Sequence, residues 1–172
     1  MADIKNVIPL TQKWEGKFSN DPNDSGGATM MGITMRTFIA YRKKKGLPPP
    51  TIGNLKDISP DEWEAILKMF YWDKWQADQI NNQSIANILV DWLWNSGSWG
   101  IKIPQRILGL VEDGIVGYNT LYAINTANQK GLFQDIKKAR EQFFWDIVKN
   151  NPTQQKFIKG WLNRLADFTF KE

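Results

Sequence analysis

The sequence is organised around one stretch, Trp14-Glu15-Gly16-Lys17-Phe18-Ser19-Asn20-Asp21-Pro22-Asn23-Asp24-Ser25-Gly26-Gly27-Ala28-Thr29. Its second residue, Glu15, lies at the expected end of a helix. It continues into a segment rich in residues that favour turns. Two aspartates, Asp21 and Asp24, lie six and nine positions after Glu15. The stretch therefore combines one candidate acid with a loop that carries two further carboxyl groups.

Residues 3–18 are predicted to form a helix, capped by Asp3, that directs Glu15 along an apolar face. Glu15 lies seven positions after Ile8 and eleven after Ile4, intervals of two and three helical turns. A carboxyl on such a face is partly desolvated, which raises its pKa and keeps it protonated near neutral pH. A general acid requires this state. Helix geometry by itself leaves an alternative, an ordinary exposed glutamate at a helix end.

The composition restricts the chemistry that the chain can perform. It has 172 residues, which suits one domain, and contains neither histidine nor cysteine. Ser-His-Asp and Cys-His catalysis, disulfides and thiolate metal sites are therefore excluded within the chain. Carboxylates are the natural acid and base groups that remain. The loop around Asp21 lacks the spacing of a calcium loop, and we expect no metal and no organic cofactor.

The charge is mildly basic, with 22 Lys and Arg against 18 Asp and Glu. The run 42–45 is interpreted as a solvated helix end, and the scattered positive charge argues against a nucleic-acid partner. The first residues lack the features of a Sec-type signal, and no apolar run reaches the ~20 residues of a membrane span. We expect a monomer, made in the cytoplasm without stable membrane insertion, that acts at the periplasm or cell wall after non-classical export or lysis.

The remaining sequence predicts a mainly α, compact helical fold. Ser59, Pro60 and Glu62 form a capping box with proline at the first helical position. Short strand pieces are predicted near residues 30–33, a helix break at Gly131, and a cap at Thr153. Helical patterns are predicted at residues 34–45, 59 to 72 or 75, 83–95, 105–110, 121–128, 133–149 and 153–168.

Four side chains outside the first stretch are candidates for substrate binding. Tyr71 and Trp72 belong to an aromatic cluster in which core packing and a sugar-binding groove are both open. Asp91 and Asn95 are four positions apart on one helix face. They either cap a helix end or point into a cleft.

The sequence resembles the glycoside hydrolase 108 family of N-acetylmuramidases over nearly its whole length. The motifs that carry the resemblance are Glu15-Gly16-Lys17-Phe18, Asn20-Asp21-Pro22, Asp24-Ser25-Gly26-Gly27-Ala28-Thr29, Gly32-Ile33-Thr34, Tyr71-Trp72, Asp91 with Asn95-Ser96-Gly97, Gln105, Asp113-Gly114-x-x-Gly117-x-x-Thr120, Arg140 with Phe143-Phe144, and Gly160-Trp161-x-x-Arg164. The resemblance implies a lysozyme-like helical fold, a catalytic part at residues 1–90 and a helical peptidoglycan-binding part at residues 91–172. It also implies that Glu15 is the catalytic acid.

Two positions depart from the family pattern. Lys17 stands where glycine is usual, and because a nearby cation would lower the pKa of Glu15, we expect the Lys17 side chain to point away. Ser25 stands where proline is common. The spacing of Glu15, Asp24 and Thr29 is also similar to that of phage-type lysozymes. By this analogy Asp24 stabilises charge or orients water and Thr29 helps to hold that water, although Asp21 is an alternative to Asp24.

The sequence therefore predicts an endo-N-acetylmuramidase that cleaves the β-1,4 bond between N-acetylmuramic acid and N-acetylglucosamine in peptidoglycan glycan strands. A peptidoglycan-binding module without catalysis is the main alternative. A basic nucleic-acid-binding protein is the third.

Overall fold

The computed structural model describes residues 1–20 and 27–172. The fold is mainly α, as predicted. Asp21, Asp24 and Ser25 lie outside the described residues. The described part contains nine α-helices: α1 (Ile8–Gln12), α2 (Met35–Lys44), α3 (Ile52–Lys56), α4 (Pro60–Leu67), α5 (Gln83–Ser96), α6 (Trp99–Ile107), α7 (Tyr118–Thr126), α8 (Gln129–Asn150) and α9 (Gln155–Ala166). It also contains one antiparallel hairpin, β1 (Thr29–Met30) and β2 (Ile33–Thr34).

Helix α5 forms the centre of the fold. Its buried residues run without interruption from Ser84 to Leu93, as expected of a helix surrounded by other elements. It packs against α6 and α8 and against a π-helical turn at Lys68–Trp72. The Asn82 side chain accepts hydrogen bonds from the backbone N–H groups of Ser84 and Ile85 and so caps the helix. The predicted helix at 83–95 is confirmed.

Helix α4 begins with the predicted capping box between Ser59 and Glu62, and Pro60 is its first residue. It passes directly into the π-helical turn, where the N–H of Asp73 donates to the carbonyl of Lys68 at 2.8 Å. Such turns are rare and often occur near functional sites. This one leaves Tyr71 half-buried beside α5.

The hairpin confirms the short strands predicted near residues 30–33. Thr29 pairs with Thr34, and Met30 pairs with Ile33. The two turn residues, Met31 and Gly32, both have positive φ, at 48° and 77°. Two-residue hairpin turns of type I′ require positive φ at both central positions, which glycine adopts without a steric penalty.

The first helix is much shorter than the predicted helix at 3–18. Asp3 caps a separate 3-10 turn at Ile4–Asn6, and α1 follows at Ile8–Gln12. Pro9 has no N–H to donate to a carbonyl in the preceding turn, which prevents one continuous helix. After α1, a final turn is closed by the N–H of Glu15 to the carbonyl of Gln12 at 3.1 Å. Glu15 therefore follows the helix instead of belonging to it.

Two helix boundaries in the second half were also predicted wrongly. Gly131 does not interrupt a helix, because it lies in the first turn of α8, where its N–H donates to the capping side chain of Asn128. Thr153 does not cap the last helix. The Asn151 side chain accepts from the Thr153 N–H, and a 3-10 turn precedes α9.

Helices α6 and α7 both begin earlier than predicted. Helix α6 starts at Trp99 and contains Pro104, whereas α7 starts at Tyr118. A Cβ on Gly100 would overlap the backbone of α5, so glycine allows α6 and α5 to approach closely. Within residues 1–20 and 27–172, no helix is long and apolar enough to cross a membrane.

Candidate active site

The carboxyl group of Glu15 is held by side chains from α5 and α9. Its Oε1 atom accepts a hydrogen bond from Trp94 Nε1 on α5 at 2.9 Å and another from Arg164 Nη1 on α9 at 2.8 Å. The Glu15 side chain is only 10% exposed. Two donors satisfy the lone pairs of Oε1, so this oxygen is fixed as an acceptor.

The hairpin turn lies against the other carboxyl oxygen. A Cβ atom on Gly32 would overlap Glu15 Oε2 and lie 2.7 Å from Glu15 Cδ. Position 32 therefore needs glycine because of its positive φ and because of this contact. Among the described residues, Oε2 accepts no hydrogen bond. Oε2 is consequently the oxygen on which a proton would reside.

Arg164 joins Glu15 to a second, fully buried carboxylate, that of Asp91. Arg164 donates from Nη2 to Asp91 Oδ1 at 2.6 Å and from Nε to Oδ2 at 3.1 Å. Arg140 Nη2 donates to Oδ2 at 2.7 Å, and Thr11 Oγ1 donates to Oδ1 at 2.9 Å. This network fixes the guanidinium plane of Arg164, which leaves Nη1 directed at Glu15.

These surroundings shift the pKa values of the two carboxyl groups in opposite directions. Burial raises the pKa of Glu15, although Arg164 and the hydrogen bonds from Arg164 and Trp94 oppose the rise. Burial would also raise the pKa of Asp91, but Arg140 and Arg164 outweigh it and hold that pKa below its ordinary range. Because Asp91 already neutralises much of the charge on Arg164, the burial of Glu15 dominates. The surroundings thus favour the protonated form of Glu15 and the ionised form of Asp91.

An aromatic cluster supports the side of the site formed by α4, the π-helical turn and α5. The Trp94 ring lies 5.0 Å from the ring of Trp63 and 4.7 Å from that of Tyr71. Trp63 Nε1 also donates to the carbonyl of Met31 at 2.9 Å, which attaches the hairpin turn to α4. The same cluster thus positions both Trp94, which contacts Oε1, and the hairpin, which contacts Oε2.

The structure brings some of the predicted site residues together. Glu15 is at the centre, Tyr71 packs on Trp94, and Thr29 lies on the hairpin that contacts Glu15. Thr29 Oγ1 donates to the carbonyl of Gly27 at 3.3 Å. Asn95 is exposed near the end of α5, beside Trp94. Asp24 lies outside the described residues.

Two of the predicted substrate-binding residues are corrected. Asp91 is fully buried, and its carboxylate is occupied by two arginines and a threonine. Trp72 is also fully buried, and its Nε1 donates to Asp78 Oδ1 at 2.8 Å. Neither side chain can reach a substrate, so Asp91 positions Arg164 and Trp72 belongs to the core.

The sequence reasoning missed the two donors to Glu15 and the role of Gly32. Arg164 and Gly32 both lie in motifs that carry the family resemblance, but motif membership does not reveal which side chain they meet. Lys17, a cation two positions from Glu15 in the sequence, is exposed, whereas the cation in contact with Glu15 is Arg164. Within residues 1–20 and 27–172, no group of three or more carboxylates is placed to hold a metal ion.

Comparisons with known proteins place the chain in a family. Residues 8–97 match the glycosyl hydrolase 108 family. The chain belongs to this family. Residues 99–166 match a second family, described as "Predicted Peptidoglycan domain". Together the two matches support a general role of this glycosyl hydrolase 108 protein in peptidoglycan hydrolysis.

Among solved structures, SagA from Brucella abortus is similar over most of its length. It is 26% identical to this chain, with a TM-score of 0.77, and the alignment covers 95% of this chain and 89% of SagA. No curated protein matches the chain. In this glycosyl hydrolase 108 protein, the hydrogen bond from Arg164 to Glu15 connects the two matched regions.

Proposed function

We propose that this protein is an endo-N-acetylmuramidase that cleaves the β-1,4 bond between N-acetylmuramic acid and N-acetylglucosamine, with Glu15 as the general acid. The observation that carries the proposal is the environment of Glu15. Its carboxyl is nearly buried, its pKa is raised, and one oxygen is fixed as an acceptor while the other lies against Gly32. The family membership supplies the substrate class.

In the proposed reaction, Glu15 Oε2 donates its proton to the glycosidic oxygen as the bond to the anomeric carbon breaks. The sugar ring develops oxocarbenium character, and the glutamate becomes an anion. Arg164 and Trp94 then donate their hydrogen bonds to a charged carboxylate, and such bonds are stronger than those to a neutral group. Proton donation of this kind contributes about 10²–10⁴-fold to the rate.

Water completes the reaction by attacking the anomeric carbon, and the proton that it loses returns to Glu15 directly or through solvent. We propose Asp24 as the group that stabilises charge or orients this water, with Asp21 as its alternative. Thr29 would help to hold the water from the hairpin. Retention requires the two carboxyl groups to be about 5–5.5 Å apart, whereas inversion requires about 6.5–9.5 Å. The configuration of the freshly formed product, measured by NMR, distinguishes these two courses.

The test of the acid is Glu15→Gln, assayed by release of reducing ends from purified peptidoglycan. The glutamine side chain keeps an oxygen that accepts from Trp94 and Arg164 but has no acidic proton to donate. We expect loss of most activity, with unchanged co-sedimentation with cell walls. Glu64→Gln, an exposed glutamate on α4, is the control and should hydrolyse normally. A folded Glu15→Gln variant with near-normal hydrolysis contradicts the assignment, whereas a wild-type protein that binds walls without releasing reducing ends indicates a non-catalytic module.

The identity of the sugar at the new reducing end shows which glycosidic bond is cleaved. A muramidase leaves N-acetylmuramic acid at the reducing end, so borohydride reduction followed by mass spectrometry should label that sugar. Reduced N-acetylglucosamine would instead show that the other glycosidic bond is cut.

Three further variants test the roles of the loop and the hairpin. We expect Asp24→Asn and Thr29→Val to reduce hydrolysis, but less than Glu15→Gln does. If Asp21→Asn is the more damaging of the two aspartate changes, the second role belongs to Asp21. Since peptidoglycan lies outside the cytoplasm, we also propose that the protein acts at the periplasm or cell wall.

A further inference from the structure

A series of depressions that share lining residues extends from Arg164, the arginine that donates to Glu15, across the second half of the chain. Three depressions follow one another: the first and second share Asn95 and Trp161, and the second and third share Phe143. We name this surface the aromatic groove, defined by Trp14, Asn95, Phe157, Trp161, Phe143 and Trp99. We propose that the aromatic groove binds the glycan strand beyond the bond that is cleaved. This inference rests on the proposed function and adds a binding surface to it.

The groove begins beside the candidate active site, at the arginine that donates to Glu15 Oε1. Trp14 precedes Glu15, and Arg164, which donates to Glu15, lines the first depression together with Trp14. The Trp14 ring is fixed because its Nε1 donates to Asp167 Oδ2 at 2.7 Å. A polymer bound at Glu15 would therefore meet this surface as it leaves the site.

Two aromatic side chains of the groove are exposed, and each is paired with a half-buried ring. Phe157 is 45% exposed, and its ring stacks near Trp161 with centroids 6.0 Å apart and an interplanar angle of 26°. At the far end, Trp99 is 48% exposed and lies 6.5 Å from Phe143. The apolar C–H face of a β-linked hexosamine packs on such rings, whereas its hydroxyl and N-acetyl groups stay available for hydrogen bonds.

The polar groups of the groove complement the rest of the polymer. Asn95 offers an exposed amide that can donate to and accept from an N-acetyl group. Lys156 lies 4.9 Å above the Phe157 ring, and Lys102 lies 5.8 Å above the Trp99 ring. Peptidoglycan carries carboxylates on its stem peptides, so cations beside the sugar-stacking rings give charge complementarity. One carboxylate, that of Asp146, also lines the third depression.

The test compares substrates of increasing length. We would measure kcat/KM of the full chain and of Phe157→Ala and Trp99→Ala on glycan tetrasaccharides and on long glycan strands. The expected result is a loss that increases with strand length and reaches about tenfold, the size expected for one aromatic stacking contact. Both residues are about half exposed, so the variants should keep the wild-type unfolding temperature.

Tyr118 and Tyr122 provide a matched control. They are 78% and 58% exposed and stack with centroids 5.9 Å apart on α7, outside the aromatic groove. Tyr118→Ala and Tyr122→Ala should hydrolyse long strands normally. If Phe157→Ala and Trp99→Ala behave like these controls, the groove does not bind glycan, although the muramidase assignment stands.

A binding assay keeps the two proposals separable. Glu15→Gln protein should co-sediment with purified sacculi, and adding Phe157→Ala or Trp99→Ala should raise the half-saturating amount of sacculi about tenfold by the same stacking argument. This comparison does not need catalysis, so it tests whether the groove binds glycan even if the wild-type protein releases no reducing ends. Unchanged sedimentation of the double variants would contradict the proposal that the groove binds glycan.

Discussion

Arg164 donates a hydrogen bond to Glu15 at 2.8 Å although 149 positions separate the two residues in the chain. Glu15 belongs to the region that matches the glycosyl hydrolase 108 family, whereas Arg164 belongs to the region described as a peptidoglycan domain. The second region therefore does more than supply a binding surface. It provides the charged donor that fixes the orientation of the candidate acid.

Arg164→Lys is expected to lower hydrolysis strongly. The guanidinium donates to Glu15 from one nitrogen and to Asp91 from two others, and a single ammonium group cannot reproduce this planar arrangement. The rate of reducing-end release measures the effect. Arg42→Lys is the control: Arg42 is half-buried, its Nε donates to the carbonyl of Pro48, and the variant should have normal activity. Full activity of Arg164→Lys would show that only the charge at this position matters.

Gly32→Ala is expected to abolish hydrolysis, because the new methyl group would overlap Glu15 Oε2 and displace the carboxyl. The matched control is Gly46→Ala. Gly46 also has positive φ, at +67°, but a Cβ there would meet nothing within 4 Å. Both variants should lose about 1–2 kcal/mol from left-handed strain, measured by chemical unfolding. Only Gly32→Ala should lose activity, and equal activity in the two variants would refute the contact.

Trp94→Phe is expected to shift the alkaline limb of the pH–rate profile to higher pH. The change removes a hydrogen bond that lowers the pKa of Glu15 and keeps an aromatic ring beside Trp63 and Tyr71. With a higher pKa, Glu15 stays protonated to higher pH. Trp63→Phe is the control, since Trp63 donates to Met31 and not to Glu15. An alkaline limb that moves equally in both variants would contradict this assignment.

Local signals in the sequence predicted the parts of the fold that depend on nearby residues. The capping box of Ser59 and Glu62 is confirmed because both partners lie within one turn. The glutamate motif likewise predicts Glu15 as the candidate acid from residues that are adjacent in the sequence. Errors arose where tertiary contacts decide the outcome, as at Trp72. Its neighbour Tyr71 lines the site, but the π-helical turn directs Trp72 into the core.

The partners of Glu15 could not be predicted from spacing along the chain. The sequence predicts Asp91 as a group that caps a helix or faces a cleft. Its real partners are two arginines from α8 and α9, which are distant in the sequence. The sequence shows that Gly32 suits a turn, but it does not show that the Glu15 carboxyl lies against this residue. The family resemblance selects such positions without stating what each one touches.

Asp91→Asn is expected to destabilise the protein by about 3–5 kcal/mol at neutral pH, because it leaves two buried arginines without their counter-charge. The pKa of Asp91 is lower in the folded state than its ordinary value of 3.8. Its contribution to stability is therefore complete above that value and is lost as the pH falls below it.

The difference in unfolding free energy between wild type and Asp91→Asn should thus shrink at acidic pH. Urea unfolding at neutral pH and near pH 3 measures it. Asp167→Asn, which removes the partner of Lys13 at the surface, should have a much smaller effect at neutral pH. A difference for Asp91→Asn that is independent of pH would contradict the role of its charge.

Glu15→Gln is expected to stabilise the fold while it abolishes hydrolysis. Burial raises the pKa of Glu15 above its ordinary value of 4.5, so the folded state disfavours the ionised form. Wild-type stability therefore falls relative to the variant as the pH rises through the window that begins at 4.5. Glutamine removes this cost and still accepts from Trp94 and Arg164.

Thermal unfolding at pH 7 should show a higher Tm for the Glu15→Gln variant, by about 2–4 °C for each kcal/mol regained. The difference in Tm between the variant and the wild type should close near pH 4. A lower Tm for Glu15→Gln at pH 7 would mean that the attraction between Arg164 and the ionised carboxylate outweighs burial, and Glu15 would then be an anion in the resting protein.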